Sequence, residues 1–144
     1  MWSTNTRRAL GVIGLALGLT VLMSYPLAFR LADVGRVNTG DGFFNIWNVA
    51  WIAQALGSDP LQVFDANIYY PHRNTLAFAE ANFGAGAIAA PFWWLTGNPY
   101  LAYNVPSFLA YALSFLAMFG LVRSLTGQTR GALISAITDR KSVV

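Results

Sequence analysis

The chain contains no cysteine. Disulfides, zinc thiolates and cysteine nucleophiles are therefore excluded, and the redox state of its compartment leaves no mark on it. Charge is scarce as well. Only 10% of the 144 residues are Asp, Glu, Lys or Arg, against roughly 25% in soluble domains. So few charges could not cover the surface of a water-soluble fold, which points to a membrane protein. Lysine occurs once, at Lys141, and the nine basic residues are scattered; this argues against a nucleic-acid partner. There is no G-x-x-x-x-G-K loop, no G-x-S-x-G elbow and no metal-spaced histidine pair, since His72 is the sole histidine. Soluble nucleotide chemistry has no support.

What fills the chain instead is hydrocarbon: 56% of its residues are hydrophobic. Between Arg8 and Arg30 no residue is charged, and residues 9–29 as a helix reach roughly 31 Å, enough for a bilayer core. This apolar run exceeds a signal-peptide core and lacks a clear cleavage site, so a retained transmembrane helix is expected. A second uncharged run covers residues 81–122, about twice the need of one span. "TGNP" (Thr96 to Pro99) breaks it with a turn signal. The expected fold class is all-α and polytopic, with spans at 9–29, 81–95 and 100–122.

Arg7 and Arg8 place residues 1–8 in the cytoplasm by the positive-inside rule, and residues 30–80 then form a long outer loop. Strict alternation across three spans puts Arg123 and Arg130 outside, against the same rule. Two arginines weigh little beside the first helix, and a re-entrant 81–95 segment would bring them back inside. At the C-terminus, "GALISAI" (Gly131 to Ile137) resembles the opening of a fourth span. It halts at "TDRKSVV", so residues 131–144 are expected to be a truncated fourth helix with a non-native tail. The chain would then be a fragment of a longer polytopic protein.

The outer loop holds five of the six acidic residues and the histidine. Connections of about fifty residues are seldom mere linkers. Residues 42–56 have helical periodicity, with Phe44, Trp47, Trp51 and Ala55 on one stripe and Asp41, Asn45 and Asn48 on another. Too short to span and rich in tryptophan, this segment is expected to lie in the outer interface. "GSDP" (Gly57 to Pro60) ends it.

Each candidate group has a structural and a chemical alternative. Asp41 is either a helix cap or a catalytic base or cation ligand at the lipid boundary, beside an aromatic floor. Asp65, in "FDANIYYP", either forms an Asx-type turn or joins Asp41 around a divalent cation. His72 and Arg73 either lie in a solvated turn or bind a phosphate, which the forked guanidinium suits. Tyr69 comes close to them in sequence. Glu80 borders the 81–95 span, and Phe92, Trp93 and Trp94 read as an interfacial belt.

Together, "GDGFFNIWNVAW", "DANIYYPHRNTLAFAE", "WWLTGNP" and "YLAYNVPSFLAYALSFLAMFGLVRSLTG" resemble the N-terminal part of polytopic bacterial glycosyltransferases of the GT-C fold, the group spanning mannosyltransferase-like and YfhO-like proteins. The resemblance covers roughly residues 9–137. It implies a catalytic acid in the first outer loop, where Asp41 matches, and a polyprenyl-phosphate sugar donor reached from the bilayer. It also implies inverting transfer, with Arg73 or His72 meeting the charge of the leaving lipid-phosphate. Asp65, Tyr69, Trp47 and Trp51 would complete the substrate site. Many relatives carry paired acids at this point, whereas Asp41 is followed by Gly42, and this departure weakens the case for a metal. The competing expectation is a non-catalytic transporter or assembly subunit, which would carry polar residues inside its spans; Asn82, Asn104 and Ser107 are the few present.

Overall fold

The computed structural model describes residues 4–35 and 40–139. Every regular element among them is helical: α1 (Thr4–Met23), α2 (Gly40–Ser58), α3 (Phe83–Thr96), α4 (Pro99–Thr126) and α5 (Thr129–Asp139), with short 3-10 turns between some of them. The contacts group the chain into two compact units, residues 1–28 with 108–144, and residues 29–107.

In the first unit, α1 is apolar from Ala9 to Met23 except at Thr20, whose hydroxyl is absorbed by the helix's own backbone. Thr20 Oγ1 donates to the Ala16 carbonyl at 2.8 Å, the usual way a hydroxyl is satisfied inside an apolar helix. The core gathers Ala16 of α1, Phe115 and Phe119 of α4, and Ala132 and Ala136 of α5. The remaining surface of these helices is greasy. Leu10, Leu17 and Leu22 on α1 and Leu113, Leu121 and Leu125 on α4 are exposed.

Two helices are long and apolar enough to cross a membrane, over Thr6–Met23 and Pro99–Thr126, with 11% and 22% of those stretches buried. Burial that low separates them from the core helices of a soluble fold, whose apolar faces are covered by protein. Arg8, Arg123 and Arg130 line one cavity, so the start of α1 and the end of α4 lie at the same end of this unit. If α1 and α4 both cross a bilayer, an even number of crossings separates Arg8 from Arg123. The expected 81–95 span would make that number odd. It forms α3, whose 14 residues reach only about 21 Å, short of a bilayer core of roughly 30 Å. Strict alternation thus differs from the geometry, because it counted an apolar helix that is covered by protein along one side.

In the second unit, α2 and α3 pack closely along small residues. Val49, Ala53, Ala89, Ala90 and Ala102 form one core cluster, and Ile52, Ala55, Val63, Ala66 and Leu76 another. Gly86 has no room for a side chain, since a Cβ there would sit 2.5 Å from Ile52 Cγ2. Nearby, Trp94 Nε1 donates to the Ala53 carbonyl at 2.8 Å, and its ring covers Gly57, where a Cβ would come within 2.6 Å of Nε1. Trp94, taken as part of an interfacial belt, is thus a bracket between two helices. The expected interfacial helix 42–56 extends to 19 residues, Gly40–Ser58, and several of its sides are covered by protein.

"TGNP" makes the turn its residues suggest. Gly97 is left-handed (φ 63°) and donates its N–H to the Trp93 carbonyl, the glycine C-cap that L side chains disfavour. Asn98 Oδ1 then accepts the Leu101 N–H at 3.0 Å, capping α4 with Pro99 at its first position. Asn98 Nδ2 donates to the Ala32 carbonyl, and Asn104 Nδ2 donates to those of Leu31 and Val34. Two asparagines of α4 and its cap therefore hold residues 31–34 in place.

The close α2–α3 contact yields a test. Gly86→Ala should destabilise the fold by about 1–3 kcal/mol through overpacking against Ile52. Gly84→Ala, where a Cβ meets nothing within 4 Å, should be neutral or stabilising by up to about 1 kcal/mol. Thermal unfolding of the two variants in detergent should rank them in opposite directions from the parent.

Candidate functional site

The outer-loop residues are far more ordered than their irregular sequence suggests. Trp51 Nε1 donates to the Val63 carbonyl at 2.9 Å, which ties the loop after α2 back onto that helix. Three further bonds cross the loop: Leu76 N–H to the Phe64 carbonyl, Asn74 N–H to Asp65 Oδ1 at 2.6 Å, and Thr75 Oγ1 to the Ala66 carbonyl at 2.8 Å. They surround Leu76, which is completely buried. Asn74 adopts a left-handed conformation (φ 53°) that asparagine tolerates better than most residues, and its N–H thereby reaches Asp65.

A cavity of about 200 Å³ opens between α2 and this loop, lined by Trp51, Gln54, Ser58, Asp59, Gln62 and Asp65 together with Ala55. At roughly 30 Å³ per water it has the room of a few waters, or of one sugar-sized ring. Its chemistry is mixed in a particular way. Two carboxylates accept hydrogen bonds, two primary amides both donate and accept, and an indole supplies a flat apolar wall with its N–H already engaged. One Asp65 oxygen holds the loop through Asn74, while the Asp59 side chain caps nothing. Among the described residues no ion pair neutralises either carboxylate. Such a lining matches a neutral, many-hydroxyl ligand.

The expected site residues are distributed unevenly around this cleft. Trp51 and Asp65 line it together. Trp47 stacks on Trp51 with ring centroids 6.1 Å apart, and Phe44 continues the row at 5.4 Å from Trp47. The aromatic stripe is therefore a continuous ladder along α2. Tyr69 and His72 both pack against Phe78, at 6.0 and 6.1 Å, and with Arg73 they are exposed outside the cleft lining. Asp41 is exposed in the first turn of α2, where the helix dipole favours a carboxylate; residues 36–39, which would include its preceding cap, lie outside the described residues.

Ten residues separate Asp41 from Trp51, about 15 Å along the helix axis. Asp65 lines the cleft with Trp51, and Asp41 is not part of that lining. Among the described residues, no group of three or more His, Cys, Asp or Glu could hold a metal ion.

The polar stripe of α2 resolves into a structural device. Asn48 is fully buried; its Nδ2 donates to the Glu80 carbonyl at 2.9 Å, and its Oδ1 accepts the Asn82 N–H at 3.2 Å. Asn82 Nδ2 in turn donates to Asn45 Oδ1 at 3.0 Å. The two helical asparagines thus hold residues 80–82, the strand of backbone that leads into α3. Sequence reasoning missed Gln54, Ser58, Asp59 and Gln62. "GSDP" was legible as a helix stop, yet Gln54 and Ser58 at i, i+4 in the apolar second half of α2 were the available sign of a polar recess.

No family model matches the chain, and neither the curated proteins nor the solved structures yielded a match. Its function therefore rests on its own geometry.

Replacing Asn48 with alanine should remove the protein partner of the Glu80 carbonyl and of the Asn82 N–H, both only partly shielded from solvent, at a cost of about 1–3 kcal/mol in all. Hydrogen exchange should show the amides of residues 80–86 losing protection in Asn48→Ala while those of α5 keep theirs.

Proposed function

We propose that the chain is the N-terminal part of a membrane glycosyltransferase, one that moves a sugar from a polyprenyl-phosphate donor to an acceptor on the outer face of a bacterial cytoplasmic membrane. The cleft beside Trp51 is the observation that carries this reading. A carboxylate- and amide-lined recess with an indole wall is the chemistry that recognises carbohydrate hydroxyls and C–H faces, and the same chain carries two helices apolar enough to cross a bilayer. With Arg7 and Arg8 in the cytoplasm, the residues between α1 and α4 lie on the far side, where lipid-linked sugars need no nucleotide site.

In this mechanism the cleft holds a sugar unit of the acceptor away from the reacting bond. Asp41 takes the proton of the attacking hydroxyl as the new C–O bond forms at the anomeric carbon. The bond to the lipid phosphate breaks with its electron pair on the phosphate, and Arg73 or His72 meets that charge. The aromatic ladder Phe44–Trp47–Trp51 offers a rail for the prenyl chain. The transporter alternative expects uncommitted polar groups inside helices. Asn48 and the Asn104 amide nitrogen bind backbone carbonyls, whereas Asn104 Oδ1 is buried in α4 with no hydrogen-bond partner, the observation that favours this second reading.

In the full-length protein reconstituted in liposomes with a polyprenyl-phosphate sugar, Asp41→Asn should lower turnover by about a hundredfold or more, the usual cost of removing a general base. Gln54→Ala, exposed and without a structural bond, should raise the acceptor KM with kcat little changed. Unchanged turnover in the first variant would remove Asp41 from the chemistry; an unchanged KM in the second would empty the cleft of its role.

A further inference from the structure

The three arginines that share one cavity have no part in sugar transfer as described above. Arg8 comes from the first turns of α1, Arg123 from the last turn of α4, and Arg130 from the first turn of α5. Their cavity measures about 490 Å³, with Gly11, Val12, Leu15 and Leu133 forming its apolar walls and Thr129 its remaining polar edge. No carboxylate lines it. Among the described residues none of the three is ion-paired; Arg123 only rests its guanidinium 5.8 Å from the Phe119 ring centroid. Three guanidiniums facing one space without a counter-charge repel each other, and an anion there relieves all three at once.

A second cavity of about 340 Å³ shares Arg8 and Arg123 and is otherwise apolar, walled by Ile13, Leu116 and Phe119 among others. The Arg8–Arg123 pair is therefore flanked by two greasy recesses that lie against helices able to cross a bilayer. Free phosphate has no use for such walls. A molecule with one anionic head and two hydrocarbon chains matches both the charge and the pair of recesses.

We infer that Arg8, Arg123 and Arg130 form a binding site for an anionic diacyl phospholipid, its phosphate held between the guanidiniums and its acyl chains entering the two recesses. The site depends on α1 and α4 lying in a bilayer and is independent of the sugar-transfer reading. It also accounts for the position of α5, whose first turn supplies the third arginine. By closing the triangle of charges, the lipid would link the ends of three helices.

The test uses the whole chain in neutral detergent, with bound lipid counted by native mass spectrometry after addition of phosphatidylglycerol, phosphatidylcholine or inorganic phosphate. Phosphatidylglycerol should be retained over phosphatidylcholine. Replacing one arginine by glutamine should weaken it about fivefold, and replacing all three should weaken it on the order of a hundredfold, as expected for basic groups at an anionic head. Arg30→Gln, outside both cavities, should leave retention unchanged. Equal retention of the two lipids by the parent overturns the proposal, as does undiminished binding by the triple variant. Equal competition by inorganic phosphate would make this a simple anion site and would also overturn it. If the triple variant does not fold, the single variants and the parent's lipid preference decide.

Discussion

The close approach of α2 and α3 is the constraint on which the candidate site depends. It needs a position without a side chain, Gly86, opposite Ile52, and a buried amide, Asn48, that holds both the carbonyl and the N–H of the chain leading into α3. Apolar contact alone would let these two helices slide, because alanine-rich surfaces present shallow ridges. The Asn48 bonds set the register, and the Trp94 bond to Ala53 fixes the other end. With α3 seated on one side of α2, the side bearing Trp51 is left for the loop to cover.

That loop is built by the same economy of polar groups. Trp51, Asp65 and Thr75 each place one side-chain atom on a backbone group of the loop, and Leu76 fills the space they enclose. Buried backbone polar groups that lack a ladder must find such partners. The recess lined by Gln54, Asp59 and Gln62 is what remains where the loop turns away from the helix. Asp65 works on both sides of this boundary: one oxygen holds Asn74, and its residue still faces the recess.

The unit built from α1, the later part of α4, and α5 follows a different logic. Its interior is alanine against phenylalanine, and its exterior remains apolar, an arrangement suited to lipid rather than water. Its charges collect at one end, where Arg8, Arg123 and Arg130 meet. Charge at the ends and none along the shaft is what a hydrocarbon layer demands of a helix that crosses it.

Much of this was legible from residue order. The existence of the helices expected over 9–29, 42–56, 81–95 and 100–122 was legible in apolar runs, periodicity and the "TGNP" stop, because helix formation and its Gly, Asn and Pro punctuation depend on neighbours within a few residues; the first instead runs Thr4–Met23 and gives way to a turn and a 3-10 segment over 24–29. The Phe44–Trp47–Trp51 row followed from the same 3.6-residue period. Other features were decided only by tertiary structure. Arg8 meets Arg123 after more than a hundred intervening residues, Asn48 of the polar stripe is a buried clamp on residues 80–82, and Asp65 shares a recess with Asp59. Each of these is a contact between distant segments, set by how small residues let helices approach and by which backbone groups were left without partners. Sequence spacing along one helix carries no information about that.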